Sequence, residues 1–556
     1  MKASLSAFLA AALAVAVGCS TSNPPPKTNP PSATPTPAAV GERVETLLGL
    51  KQPDPKKAMG DEEDAPSTFL DPQTGKRLMR VPKSRVYYVK DGLLYNAIVN
   101  LPGAPYVRED DKAYYVDVGP EKPPAPKPAN ETAALKPILE IPASEAEVVT
   151  PKTSKETLRF EEISEGLPKS GIWRENFALA DVLGLGRPQI VAPPPRLTGQ
   201  YLRVFRLDKD DAGAWRWRSA QVEFDNPDKI DAAYGVAAAA DVDGDGKLDI
   251  VFGGHGSGPA VALNKGDGKF LVQARGLPRA MSLRALEAVD LNADGRVDLL
   301  AISDVGEWSD SGGHPKQEGD YLRGYDVRAF LNEGSHFREV HKGLEGACFG
   351  YAIAAVVPKD GLPFYSSACR YIGGSATLYE FDPKKEEFRF IGSDVVETYG
   401  PQSGAAAGLY KGRPAAFAAY FKRSPTGASR KIDGQGITIY YRDADGKMKS
   451  KRVVKTLKFD AGSQAIAAGD LNGDGLDDVV WADESAQRVR VFFQTAGGEF
   501  EELAAAREPA FVNHPTALRI ADVDGDGRKD VVLMYQYLTG DETRAGGFRV
   551  FRGLSK

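Results

Sequence analysis

The sequence predicts an all-β fold: a seven-bladed β-propeller of four-stranded blades, preceded by a small β-rich module or extended arm. Three observations carry this. A nine-residue acidic pattern occurs four times, as Asp241-Val-Asp-Gly-Asp-Gly-Lys-Leu-Asp249, Asp290-Leu-Asn-Ala-Asp-Gly-Arg-Val-Asp298, Asp470-Leu-Asn-Gly-Asp-Gly-Leu-Asp-Asp478 and Asp522-Val-Asp-Gly-Asp-Gly-Arg-Lys-Asp530. Each copy runs into an apolar, β-branched stretch such as Ile250-Val-Phe or Val531-Val-Leu-Met, which reads as strand. The copies also recur at a spacing that suits four short strands, the repeat signature of a propeller blade.

Within a unit the order is strand, acidic loop, strand, variable loop, strand, turn, strand. The third strand recurs as Ala260-Val-Ala-Leu-Asn264, Val327-Arg-Ala-Phe-Leu-Asn332, Val489-Arg-Val-Phe-Phe-Gln494 and Phe548-Arg-Val-Phe-Arg552, mostly with a Gly-rich turn behind it. Asp181-Val-Leu-Gly-Leu-Gly-Arg-Pro-Gln189 aligns with the Asp241 loop but has Leu183, Leu185 and Gln189 at acidic positions, so it keeps the turn and loses the carboxylates. Two further remnants, Ala355–Tyr365 and Ala407–Phe417, fill the long gap before Asp470 and bring the units to seven. The chain ends on a third strand, whereas Phe160-Glu-Glu-Ile-Ser-Glu-Gly-Leu-Pro168 resembles an outer strand with no blade before it. Residues near 157–168 are therefore expected to complete the seventh blade and lock the ring.

The loop chemistry points to a hard cation. Positions 1, 3, 5 and 9 carry Asp or Asn, position 6 is Gly, and this many carboxylates on one turn repel unless a divalent ion sits among them. An EF-hand needs a bidentate Glu at position 12, where this chain has Phe252, Ala301, Trp481 and Leu533, so that reading fails. About four Ca²⁺ sites are expected. Their ligands would be Asp241, Asp243, Asp245 and Asp249 with the Lys247 carbonyl; Asp290, Asn292, Asp294 and Asp298 with the Arg296 carbonyl; Asp470, Asn472, Asp474 and Asp478 with the Leu476 carbonyl; and Asp522, Asp524, Asp526 and Asp530 with the Arg528 carbonyl. Affinities on the order of 10⁻⁴ to 10⁻³ M suit extracellular modules of this sort.

Asp-x-Asp/Asn-x-Asp-Gly-x-x-Asp before a strand, with Leu-Asn-x-Gly-x-x-Phe downstream, resembles the FG-GAP/VCBS repeat of integrin α-subunit-type propellers. The resemblance spans residues 157–556. It implies calcium loops on one face of a seven-bladed ring and ligand recognition mostly on the other. Blades 1, 4 and 5 depart from the pattern and are expected to bind no calcium.

Ahead of the repeats, Met1–Gly18 has one early Lys and then an Ala/Leu/Val run ending before Cys19, which reads as a signal peptide. Small residues before that Cys resemble a bacterial lipobox, so Cys19 is the expected lipidation site and the lipid the membrane anchor. Ser20 after it resembles an outer-membrane sorting signal in a Gram-negative cell. Residues 19–45 form a Pro/Ser/Thr-rich tether, and 46–156 a small β-rich module or arm plus linker. The net charge of −6 argues against nucleic acid as a partner. Cys348 and Cys369 flank a hairpin in the fourth unit, where an oxidising compartment would permit a disulfide; two buried thiols are the alternative.

Loops joining second and third strands lie opposite the calcium loops. They carry His255, Asp304, Trp308, His314, Arg370, Tyr420 and Tyr535, a candidate polar and aromatic ligand face. Long surface loops also accumulate such residues without function. The five histidines form no His-x-x-x-His pair and no Gly-x-Ser-x-Gly elbow is present, so no catalytic residue is nominated. The expectation is a monomeric, lipid-anchored, extracytoplasmic recognition, adhesion or scaffold module for a protein or glycan, with structural calcium. The alternative is a calcium-dependent carbohydrate-active enzyme resembling polysaccharide lyases, with Arg370 or Lys422 nominated as the basic group.

Overall fold

The computed structural model describes residues 67–117 and 149–554, with breaks at 73, 83–86, 91–92, 97–104, 196–201, 231, 233–234, 255–257, 279–280, 282, 304–326, 345–351, 370–373, 396–403, 424–431, 457–464, 484–485, 512–513 and 537–545. Seven antiparallel sheets follow one another from residue 178 to 554. Their first, innermost strands are Ala178–Ala180, Val236–Ala240, Leu283–Val289, Ile353–Val356, Gly404–Tyr410, Ile466–Gly469 and His514–Ala521. These touch in order around a circle, and the last touches the first. The ring is closed, as the sequence predicts.

Apolar side chains explain why the sheets stand side by side. Among the described residues seven buried clusters occur in the ring, each shared by two consecutive blades; Leu263 and Phe330 meet between blades 2 and 3, for example, and Val491 and Leu533 between blades 6 and 7. Second strands such as Gln189–Ala192, Asp249–Gly253, Asp478–Asp483 and Asp530–Gln536 are thus buried along their whole length, and their residues read as near-continuous apolar runs. At about 1.5–3 kcal/mol per fully buried large side chain, an upper estimate, these seams are the main source of ring stability.

The seventh blade borrows its outer strand from ahead of the first. Arg159–Glu162 pairs antiparallel with Gly547–Leu554, in the register Phe551 with Glu162. Residues 163–167 then cross to blade 1, where the Trp217 amide donates to the Glu165 carbonyl and its indole Nε1 to that of Ile163, 2.9 Å away. Here the Gly-Leu pairs after outer strands find their reason. A Cβ on Gly166 would lie 2.0 Å from the Trp217 oxygen, and one on Gly343 would lie 1.8 Å from the Phe388 oxygen. Each glycine lets one blade's exit touch the next blade's outer backbone.

Two blades are not four-stranded. Glu223–Asp225 adds a parallel fifth strand to blade 2 at Lys269–Gln273, and Lys152–Thr153 does the same to blade 6 at Phe500–Glu502. With the bridge between Val149 and Lys455 of blade 5, the segment 149–162 runs along the outer edges of blades 5, 6 and 7. Both additions occupy sheet edges whose backbone groups would otherwise be unpaired.

Ahead of the ring, Ser67–Leu70, Arg77–Pro82, Ala113–Asp117 and Tyr106–Glu109 form a small antiparallel sheet, and Tyr87–Lys90 pairs with Leu93–Asn96 as a hairpin. No helix among the described residues is long and apolar enough to cross a membrane.

Candidate metal loops and the channel

Each acidic loop joins the first and second strands of its blade, and all four share one hydrogen-bond plan. The position-1 carboxylate gathers the turn. Asp241 accepts from the Gly244, Asp245 and Gly246 amides at 2.8, 3.1 and 2.9 Å. Asp470 and Asp522 repeat all three bonds, and Asp290 two of them. Positions 4 and 6 both take positive φ: 76° and 85° at Gly244 and Gly246, 80° and 84° at Gly473 and Gly475. The sequence pattern marked only position 6. At position 4 blade 3 places Ala293, held at φ 61°.

Position 9 has a second task beyond the expected ligand role. Asp249, Asp298, Asp478 and Asp530 are fully buried. Asp249 accepts from the Val242 amide in its own loop (2.9 Å) and from the Asn264 amide on the third strand (2.7 Å). Asp298, Asp478 and Asp530 make the matching pair of bonds. Burial pushes all four carboxyls up, to about 6 for Asp298 and about 7 for Asp478 and Asp530, against the pull of the two amides. A divalent cation would oppose that shift, and each carboxylate oxygen keeps a further lone pair for one.

Two groups bring carboxylate oxygens within 4.8 Å of one another: Asp241, Asp243 and Asp245 in blade 2, and Asp522, Asp524 and Asp530 in blade 7. Oxygen-only donors at this density suit a hard divalent ion. Blade 1 supplies an internal control. Its loop has the same turn, with the Leu185 and Gly186 amides donating to Asp181 at 2.8 and 2.7 Å. There the Gln189 Nε2 donates to Asp181 Oδ1 (3.0 Å) and to the Arg187 carbonyl, the position-7 oxygen. A positively polarised amide thus joins two oxygens whose counterparts in the other loops belong to the expected ligand set.

One set of residues escaped sequence reasoning. The Asn or Gln ending the third strand clasps two blades. The Asn264 amide donates to the Leu248 carbonyl of its own loop (3.0 Å) and to Val182 in the blade 1 loop (2.8 Å). Asn332 does the same to Val297 and Val242, and Gln494 to Asp477 and Leu409. The signal was the recurring Leu-Asn pair, visible as a motif but silent about its partner.

Seen from the ring centre, Ala178, Ala238 and Ala467 precede their loops by three residues, and the same level carries Glu287 in blade 3 and Arg519 in blade 7. Glu287 and Arg519 line a cavity of about 40 Å³ with Glu175, Thr516 and Leu518. That holds water, not a ligand, which takes roughly 300 Å³ or more. Enclosure by the ring pushes the Glu287 carboxyl up to about 7, opposed by the Arg519 charge.

Of the expected ligand face, Tyr535 proves to be a strand residue, only 8 % exposed and paired with Gly547. Second strands run longer than the pattern suggested, so this ring packs in the wall. Tyr420 likewise lies on a strand, paired with Gly436. His255, Asp304, Trp308, His314, Arg370, Cys19 and Cys348 lie outside the described residues, as does the side chain of Cys369.

A family model described as the FG-GAP-like repeat matches residues 241–301 and 470–533, the two segments that hold the four loops. These two segments of the β-propeller are FG-GAP-like repeats. No curated protein matches it. Among solved structures, this propeller is similar to an alpha-L-arabinanase of Penicillium chrysogenum complexed with arabinobiose, at 13 % identity and TM-score 0.34 over 70 % of this chain and 98 % of that one. A triple mutant of AofleA from Arthrobotrys oligospora gives 12 % and 0.36 over 66 % and 97 %. Likenesses this distant bear on no activity.

Proposed function

We propose that this propeller is a lipid-anchored, extracytoplasmic recognition or scaffold module whose ring is stiffened by calcium in the loops of blades 2, 3, 6 and 7. The observation that carries the calcium reading is Gln189. One backbone loop occurs five times; where its ninth residue is an amide, that amide joins the position-1 carboxylate to the position-7 carbonyl. Where the ninth residue is Asp, the same point needs a positive group from elsewhere. Two clustered carboxylate triads and the upward-shifted carboxyls of blades 2, 3, 6 and 7 support the same reading.

Calcium acts structurally here: it joins first and second strands at the rim and leaves the opposite face for a protein or glycan. Cys19 behind the apolar leader supports the anchor. Calorimetric titration of the chelated chain with CaCl₂ should show about four sites on the order of 10⁻⁴ to 10⁻³ M. A chain that takes up no calcium at ten millimolar defeats the reading. Incorporation of labelled lipid that disappears in Cys19→Ala tests the anchor, and capture from solubilised membranes against binding to a glycan array separates scaffold from glycan recognition.

A further inference from the structure

Blade 7 departs from the other metal loops at one place on its third strand. In register, the residue that is Leu263, Leu331 and Phe493 in blades 2, 3 and 6 is Arg552 in blade 7, and the clasping amide that follows is Gly553. The three apolar residues are buried in the seams. Arg552 turns to the loop instead. Its Nε lies 2.5 Å from Asp524 Oδ2, its Nη2 3.0 Å from Asp526 Oδ2, and its Nη1 3.8 Å from Glu161 Oε2 on the strand that closes the ring. Arg528 adds a weaker contact to Asp526 at 3.6 Å.

Other loops also carry a basic side chain, but differently. Among the loop carboxylates Lys247 and Arg296 pair with position 5, Asp245 and Asp294, and are about half exposed at 47 % and 49 %. Pairs of that kind are screened and cost little to break. Lys265 approaches position 3 of blade 2 at 3.5 Å, on a side chain 44 % exposed. Arg552 forms its ion pair with position 3 itself, without a hydrogen bond at Nε, where the Asp524 side chain is wholly buried, and it is 24 % exposed. A guanidinium held against a buried carboxylate is a far stronger rival for an incoming ion.

We infer that Arg552 is a built-in counter-cation of the blade 7 loop, which competes with a divalent ion for Asp524 and Asp526 and couples that loop to the closing strand through Glu161. The inference rests on the calcium reading. By charge count blade 7, with four carboxylates, should equal blade 2 and exceed blades 3 and 6 with three; the competition makes it the weakest site. An ion that takes Asp524 and Asp526 leaves Arg552 to Glu161, so filling this site tightens the hold of blade 7 on the closing strand.

Calorimetric titration of the full chain with CaCl₂ tests this. The wild type should show one site about tenfold weaker than the rest. Arg552→Leu, which installs the residue of blades 2 and 3, should raise that site about tenfold and leave the others alone; Arg552→Lys, which keeps charge but cannot bridge two carboxylates, should raise it less. Asp524→Ala should remove that site only. Hydrogen exchange gives a second readout: calcium should slow exchange at 159–162 in the wild type and no longer in Arg552→Leu. Unchanged affinities in both Arg552 variants, with calcium still bound elsewhere, overturn the inference alone. A wild-type chain that binds no calcium overturns the reading beneath it.

Discussion

The loops of blades 1 and 2 have nearly the same backbone and opposite needs. In both, an Asp at position 1 gathers the turn amides, and positions 4 and 6 take positive φ: 67° and 75° in blade 1, 76° and 85° in blade 2. In blade 1 the remaining polarity is settled internally, by Gln189 and by apolar Leu183 and Leu185 in place of carboxylates. In blade 2, Asp243 and Asp245 add charge on the rim while Asp249 carries another into the wall. One solution is complete in the chain; the other, on the calcium reading proposed above, is completed from solution. The difference teaches that loss of the acidic pattern need not be decay, since the substituted side chain ties the loop together with its own hydrogen bonds.

Chelation should break this comparison most visibly. A site held at a hundredfold excess over its Kd adds about 2.7 kcal/mol, so emptying several should lower the melting temperature by on the order of ten degrees. Hydrogen exchange should speed up at 241–249, 290–298, 470–478 and 522–530 and stay unchanged at 181–189. Equal acceleration in the blade 1 loop would mean that Gln189 does not substitute for an ion.

Gln189→Glu attacks the other half. It is isosteric, yet it replaces a donor shared by Asp181 and Arg187 with a second carboxylate beside Asp181. A loss of about 3 kcal/mol is expected from the two bonds and the like-charge contact in a buried place. Calcium should not restore it, because Leu183 and Leu185 offer no oxygens. Denaturant titration with and without calcium reads both effects, and full rescue by calcium would sink the ligand-count argument.

A smaller change separates loop from seam. Asn264→Ala removes the donor shared by Leu248 and Val182 and leaves a buried carbonyl in each of two blades without it. The expected cost is about 1–3 kcal/mol, seen as a lower urea midpoint at constant slope. Calcium affinity in blade 2 should move little, because the bond from the Asn264 backbone amide to Asp249 persists.

Much of this architecture was legible because its physics is local. The acidic loops, the apolar strands after them and the outer-strand pattern at 160–168 each depend on neighbours in sequence. Even the hairpins of blades 4 and 5 showed through, as strand-turn-strand remnants now seen at Ile353–Val356 with Phe364–Cys369 and at Gly404–Tyr410 with Arg413–Arg423. What stayed hidden depends on partners far along the chain. Lys152–Thr153 and Glu223–Asp225 are too short to carry a period, and become strands only because an edge waits for them. The clasp of Asn332 on Val242 spans ninety residues, and that of Gln494 on Leu409 spans eighty-five. Tyr535 was misplaced for the same reason: alternation fixes which side of a strand a residue takes, not where the strand stops.

The finest distinction among the loops is at position 4, where blades 1, 2, 6 and 7 have glycine and blade 3 has Ala293 at φ 61°. Nothing crowds this position, since a Cβ on Gly244, Gly473 or Gly525 would meet no atom within 4 Å. The whole penalty on Ala293 is therefore the local clash of its own Cβ with the backbone in left-handed conformation, about 1 kcal/mol. Ala293→Gly removes that strain but frees the unfolded chain, at a cost of about 0.5 kcal/mol. The net expectation is a gain of about 0.5 kcal/mol, small enough to need repeated denaturant titrations. It should be largest after chelation, when no ion helps to hold the blade 3 loop in its turn. A loss of stability would instead show that Ala293 makes contacts that the other loops lack.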